Sequence, residues 1–307
     1  MTTPQTPQTV LQTLIQAAAG RERVAQLLFC AALAGGHVLL DDLPGTGKTV
    51  LAKSLRDALG LSFRRVQCTS DLLPSDIIGV SVFDRQAQQF VFHEGPIFTQ
   101  ILLCDELNRC PPRTQSALLE GMAEGQVSVD RHTYALPQPF LVIATQNPVD
   151  GRSTLDLPQA EWDRFMFCLS MGRLAPSAEK RLLTDGFWMS GGPTTTPASD
   201  VPFLHWMAQS QTPHVAPVLV DYLFDLMEAS RRQFHERGGL STRAGQAIIR
   251  AARAWAWLAG RDHVILDDVQ TVFAPAALHR LLPSDRLAIP QEHARVVALL
   301  DDVPAPL

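Results

Sequence analysis

The sequence predicts an α/β fold, with a parallel sheet in the first half of its 307 residues and a helical second half. Three runs carry that expectation. The first is Leu39-Leu40-Asp41-Asp42-Leu43-Pro44-Gly45-Thr46-Gly47-Lys48-Thr49, which reads as a strand end, a glycine turn and a helix beginning near Lys48. The second is Ile101-Leu102-Leu103-Cys104-Asp105-Glu106, an apolar run closed by two carboxylates. Buried parallel strands have this appearance and deliver polar groups at their C-terminal ends. The third is Phe140-Leu141-Val142-Ile143-Ala144-Thr145, which ends at Gln146-Asn147.

The first run suits a nucleoside triphosphate. Gly45 and Gly47 free backbone N–H groups to point at phosphate oxygens, and a helix N-terminus favours negative charge. Pro44, Gly45, Thr46 and Gly47 form the turn, Lys48 reaches the β- and γ-phosphates, and the Thr49 hydroxyl ligates Mg²⁺. The strict pattern opens with a glycine where this chain has Asp42. A chance glycine turn is the alternative for this stretch alone. The second run supplies Asp105 to hold the Mg²⁺ shell and Glu106 to orient and polarise water, as phosphoryl transfer requires. Taken singly, a strand followed by Asp-Glu is weak evidence; after a phosphate loop, with room between for another strand and helix, it is strong. The Asn147 amide can bond the attacking water or the γ-phosphate, whereas by itself it reads as a turn residue before Pro148.

Between these runs, Val80-Ser81-Val82-Phe83 and Gln89-Phe90-Val91-Phe92 flank a polar turn, so residues 77–92 are expected to form an inserted hairpin. Val80, Val82, Phe90 and Phe92 are expected to pack it against its own base. A further apolar strand, Phe165-Met166-Phe167-Cys168-Leu169, closes an α/β core over residues 1–172. Residues 173–307 read as a helical lid, entered past the small-residue loop Gly191-Gly192-Pro193-Thr194-Thr195-Thr196-Pro197. Ile248, Ala252, Trp255 and Ala259 recur at helical spacing, and Trp255 and Trp257 are packing residues by that spacing. Arg243 follows Ser241-Thr242 at the expected start of that helix, where a cation opposes the dipole unless an anion lies nearby.

Composition narrows the class. A chain 46% hydrophobic can bury an ample core. A net charge of −5 gives no bulk attraction to nucleic acid or to acidic membranes. The longest apolar runs are too short to span a bilayer, and the Thr/Gln/Pro-rich start does not resemble a secretion signal. Cys30, Cys68, Cys104, Cys110 and Cys168 lack metal-ligand spacing, so they are expected to be buried free thiols in a reducing cytoplasm.

Together the runs resemble the MoxR family of AAA+ ATPases, from about Gly20 to Leu282. The resemblance rests on His37 through Thr49, Thr69 through Ile77, Glu94-Gly95-Pro96-Ile97-Phe98 and Asp105-Glu106-Leu107-Asn108-Arg109. Pro112 through Glu120, Ile143 through Pro148, Leu157-Pro158-Gln159-Ala160, Asp163-Arg164-Phe165 and Gly260-Arg261-Asp262 continue it. It implies an ATP-hydrolysing ring, a homo-hexamer, that uses Mg²⁺ and remodels protein clients, among them proteins with a von Willebrand factor A domain. It implies that Asn147 is sensor 1, Arg164 the arginine finger aimed at a neighbour's nucleotide, and Arg243 the sensor 2 arginine coupling lid to nucleotide. It also implies that Gly20 contributes backbone contacts to adenine and that the hairpin sits near the pore. For Arg164 the local alternative is an ion pair with a nearby acid such as Asp163. The loop Gly151-Arg152-Ser153-Thr154-Leu155-Asp156 departs from the family's usual Gly-Thr-Tyr run. Two other function classes stay open: a nucleic-acid motor or loader, which DNA-stimulated turnover would reveal, and a nucleotide-gated scaffold with little hydrolysis.

Overall fold

The structure, a computed structural model, describes residues 5–42, 45–130, 132–147, 159–172, 174, 176–185, 202–283, 287 and 290–306, with 159, 160, 181, 182 and 185 described by backbone alone. Pro44, the loop 151–156, Leu157-Pro158 and the loop 191–197 lie outside the described residues.

Two helices, α1 (Pro7–Ala17) and α2 (Glu22–Leu33), precede the sheet. Its strands are β1 (His37–Asp41), β2 (Phe63–Gln67), β5 (Ile101–Asp105), β8 (Leu141–Gln146) and β9 (Phe165–Leu169). They lie in the order β2-β5-β8-β1-β9, and every pairing is parallel. β1, β5 and β8 are buried along their whole lengths, which is why the sequence shows them as unbroken apolar runs rather than alternation. β2 is an edge strand and leaves Arg64 and Arg65 exposed. The sheet order brings the ends of β1, β8 and β5 side by side, so the three motifs foreseen in the sequence meet at one rim.

Helix α3 (Lys48–Leu59) starts directly after Gly47, whose φ of 93° only glycine adopts without strain. A short α4 (Pro74–Ile78) leads into the expected inserted hairpin, β3 (Gly79–Asp84) and β4 (Gln89–Glu94), antiparallel with Val82 opposite Val91. Its packing differs from the expectation. Phe92 stacks on Tyr134 and meets Phe98, but Val80 and Val82 are exposed and Phe90 is 72% exposed. The register explains this. Val80 and Val82 lie on the face opposite Phe83, Phe90 and Phe92, and of those three only Phe92 is near enough to the base to be covered. Phe83 and Phe90 instead touch each other edge-to-face, 5.3 Å between centroids.

Helix α5 (Pro112–Glu124) ends at Gly125 and leads to a second hairpin, β6 (Gln126–Val129) and β7 (His132–Ala135). Beyond the short α6 (Gln159–Trp162) and β9, the described chain is helical: α7 (Pro176–Asp185), α8 (Phe203–Ser210), α9 (Pro217–Gln233), α10 (Thr242–Leu258), α11 (Leu266–Leu281) and α12 (Pro290–Asp302). α10 begins where Ser241 caps it, the serine Oγ accepting from the Ala244 N–H at 3.0 Å. The lid helices share one apolar core with the sheet. Arg23 of α2 donates to the Thr271 carbonyl at 3.0 Å and lies over the Trp255 ring at 4.6 Å, which gives Trp255 the packing role foreseen for it. All five cysteines are buried and free.

Candidate functional site

The phosphate loop joins the end of β1 to α3. Gly45 and Gly47 both have left-handed backbones, and a Cβ at Gly45 would meet open space. That open, glycine-lined cradle at a helix N-terminus is what a polyphosphate requires. Lys48 is the first residue of α3, and its Nζ donates to the Asp42 carbonyl at 2.6 Å and to the Gln146 carbonyl at 3.4 Å. Burial lowers the Lys48 pKa, while Asp42, Asp41, Asp105 and Glu106 all lie close enough to raise it. The lysine therefore stands among the acids at the strand ends. Thr49 follows it, half-buried in the first turn.

Asp42 is explained by its side chain. Its Oδ2 accepts from the Gly172 N–H at 2.9 Å and from the Ser170 hydroxyl at 3.4 Å, tying the loop to the segment after β9. Gly20, with φ of 87°, lies at the same rim, since the adjacent Arg21 donates to the Thr46 carbonyl and the Gly172 carbonyl, each at 3.1 Å. Arg21 was not foreseen; its signal was only a cation next to a glycine.

Asp105 ends β5, where Oδ1 accepts from the Thr145 hydroxyl at 3.2 Å and Oδ2 is paired with Arg65 at 2.6 Å. Glu106 has a left-handed backbone, φ 58°, which is costly for a residue with a side chain and concentrates at functional sites. Its N–H donates to the Thr145 Oγ1 at 2.9 Å, and its carboxylate is paired with Arg109 at 2.7 Å. Thr145 thus links both acids. Asn147, just past β8, is half-buried, and its carbonyl accepts from the Asn108 side chain at 3.4 Å. Asp41 is buried beneath this rim, and burial raises its pKa, opposed by a hydrogen bond from Gln146 at 2.9 Å.

Arg164 and Arg243 are not at this rim. They line one cavity of about 220 Å³ with Gly35, Gly36 and His37 at the start of β1. The five residues of β1 separate that cavity from the phosphate loop by roughly 13 Å. Arg164 is half-buried; its Nη1 donates to the Leu119 carbonyl, and its buried Nε has no hydrogen-bond partner among the described residues. Arg243, in the first turn of α10, is exposed. Arg250 and Arg280 line the same cavity, against the single carboxylate of Asp163, so it is strongly positive. Asp163 does not pair with Arg164: it holds Arg280, Nε to Oδ1, at 2.7 Å. His37 is neutral there. Its Nδ1 accepts from the Val142 N–H at 3.0 Å, leaving Nε2–H to donate to the Met122 carbonyl at 3.0 Å, and burial pushes its pKa down to about 4.

The residues at the strand-end rim can cradle a triphosphate, and the Thr49 hydroxyl with one carboxylate is the sparse protein ligand set that Mg²⁺ favours. The cavity at the opposite end can receive an anion. No helix among the described residues is long and apolar enough to cross a membrane.

Comparisons with known proteins agree with this fold. The description of the ATPase family associated with various cellular activities (AAA) matches residues 37–167, and that of the AAA lid domain matches residues 229–301. The chain is 39% identical to an uncharacterised Bacillus subtilis protein, YeaC, over 94% of this chain and 91% of that protein. It is 36% identical to the chaperone MoxR1 of Mycobacterium tuberculosis, over 88% of this chain and 74% of that one. It is 35% identical to the MoxR protein of Paracoccus denitrificans, over 92% and 90%. Among solved structures, a candidate ATPase of Cytophaga hutchinsonii superposes with a TM-score of 0.84 at 31% identity, covering 98% of this chain and 94% of that one.

Proposed function

The chain belongs to the MoxR family of AAA+ ATPases, and we propose that it hydrolyses Mg-ATP between the subunits of a ring and remodels protein partners with the cycle. The observation that carries this reading is the division of the chemistry between the two ends of β1. One end has the phosphate cradle and the acids; the other has the arginines. A single copy then brings only half of each site to a nucleotide, and a ring of copies completes every site.

In this reading Gly45, Thr46, Gly47 and Lys48 hold the phosphates, with Pro44 completing the turn, and Gly20 lies beside the adenine. Thr49 and Asp105 would hold Mg²⁺, which would supply charge neutralisation to the phosphates. Glu106 leaves Arg109 to orient the attacking water, and Asn147 bonds the γ-phosphate. Arg164 enters the neighbour's site, where a charge supplied in trans accelerates phosphoryl transfer by about 10³–10⁵. Arg243 shares its cavity, so it too serves the neighbour's nucleotide, carrying the lid with it. The boundary between core and lid belongs near residue 172, the ring is a hexamer, and the compartment is the cytoplasm. The relative named chaperone MoxR1 supports protein clients, with a von Willebrand factor A domain protein as one partner to test.

Calorimetry tests the nucleotide site. Lys48→Ala removes a charge facing the phosphates and should weaken ATP binding by about 10- to 100-fold. Glu106→Gln should bind ATP as the wild type does and turn it over very slowly. Equal ATP affinity in wild type and Lys48→Ala contradicts the phosphate-loop assignment.

A further inference from the structure

The two arginines of the positive cavity come from different halves of the chain. Arg164 precedes β9 in the core, and Arg243 opens α10 in the lid. For both to meet one nucleotide, something must fix the lid helix against the core turn. The described contacts converge on Asp163. Its Oδ2 accepts from the Ser241 hydroxyl at 2.7 Å, and Ser241 is the cap of α10, two residues before Arg243. Its Oδ1 accepts from Arg280 Nε at 2.7 Å, and Arg280 belongs to α11. Arg280 is only 4% exposed and also donates to the Asp163 carbonyl at 3.1 Å, the Phe165 carbonyl at 2.7 Å and the Met166 carbonyl at 3.3 Å. One guanidinium therefore grips the backbone on both sides of Arg164. A charge pair whose guanidinium is buried and fully bonded has little freedom of geometry, because moving the carboxylate leaves that guanidinium desolvated and unpaired.

We propose that Asp163 is a positioning residue for hydrolysis in trans, a clasp that, with Ser241 and Arg280, sets Arg164 and Arg243 at a fixed separation across the junction of core and lid. This rests on the reading that Arg164 serves a neighbour's nucleotide. The clasp touches neither the phosphate cradle nor the acids of its own chain. Its loss therefore affects the neighbour's turnover and spares nucleotide binding by the altered subunit.

The test is complementation in co-expressed, differently tagged subunits. Arg164→Ala alone should lose about 10³-fold in turnover, and Asp163→Asn about tenfold or more, each binding ATP within about threefold of wild type. Paired with Lys48→Ala subunits, which keep their arginines and clasp, Arg164→Ala should recover turnover by about tenfold or more above either variant alone, and Asp163→Asn by about two- to threefold. Ser241→Ala, which keeps the Asp163–Arg280 ion pair, should lower kcat about threefold with unchanged KM, and Ser241→Thr, which keeps the hydroxyl, should restore it. If Arg164→Ala is not rescued, the trans reading fails. If Arg164→Ala is rescued while Asp163→Asn turns over normally, or loses its own ATP binding, the clasp alone is overturned. Should Asp163→Asn fail to fold, the serine pair decides: equal kcat in Ser241→Ala and wild type contradicts the clasp.

Discussion

Asp42 accepts a hydrogen bond from the Gly172 N–H at 2.9 Å, while its own carbonyl accepts from Lys48 Nζ at 2.6 Å. The residue that breaks the strict phosphate-loop pattern thus anchors the loop to the strand on the far side of β1. Its side chain points at the protein, leaving the phosphate side to the backbone and Lys48.

Asp42→Ala should therefore be a stability variant. Losing hydrogen bonds to one half-buried carboxylate costs about 1 kcal/mol, which lowers the melting temperature by about 2–4 °C for a protein of this size. ATP affinity should stay within about threefold, because Lys48 keeps the backbone carbonyl. Calorimetry and a thermal melt check both; a loss of ATP binding as large as that of Lys48→Ala would contradict the anchoring role.

His37 should remain neutral through the physiological range. Its two ring nitrogens are committed to Val142 and Met122, and its pKa lies near 4 in the fold against about 6.5 unfolded. The unfolded chain then binds the extra proton between those values, so stability is complete above pH 6.5 and falls as the pH drops toward 4. The loss amounts to about 3 kcal/mol by pH 4. Imidazole NMR signals followed from pH 7.5 to about 5.5 should show no titration of His37, and urea unfolding should show the falling stability. A midpoint near 6.5 for His37 would contradict this environment.

Much of the sheet was legible because central parallel strands are buried on both faces: β1, β5 and β8 show as apolar runs, and their polar ends gave Lys48, Asp105, Glu106 and Asn147 together. The hairpin was legible as two strands around a polar turn but not in its packing, since period-2 alternation marks two faces and does not say which is covered. Arg164 and Arg243 could be named only by resemblance, and their shared cavity could not be read at all. It depends on α10 crossing to the start of β9, a contact between residues 78 apart in sequence. Arg280 gave no signal: a basic residue in the last turn of a helix usually interacts with the helix C-terminus, and only the tertiary fold buries this one against Asp163.

The hairpin turn should be separable from the ATP chemistry. Asp84 to Gln88 are exposed and remote from the residues of the strand-end rim, and Asp84 Oδ1 closes the turn by accepting from the Gln86 N–H at 2.7 Å. Replacing Asp84 to Gln88 with a short Gly-Ser turn should leave basal ATP turnover within about twofold and the melting temperature within about 2 °C. Client capture or remodelling should weaken, because the turn presents the exposed Phe83–Phe90 pair. Wild-type remodelling by this variant would make the hairpin a structural edge only.

Turnover per subunit against protein concentration tests the trans-acting arginine most directly. With the phosphate cradle and Arg164 at opposite ends of β1, the proposed mechanism leaves a lone subunit without a complete site, so the rate per subunit should rise steeply with concentration and level off as rings form. Arg164→Ala should stay flat near background across the same range while binding ATP normally. A wild-type rate per subunit that is independent of concentration, from a protein that remains monomeric throughout, would contradict hydrolysis between subunits.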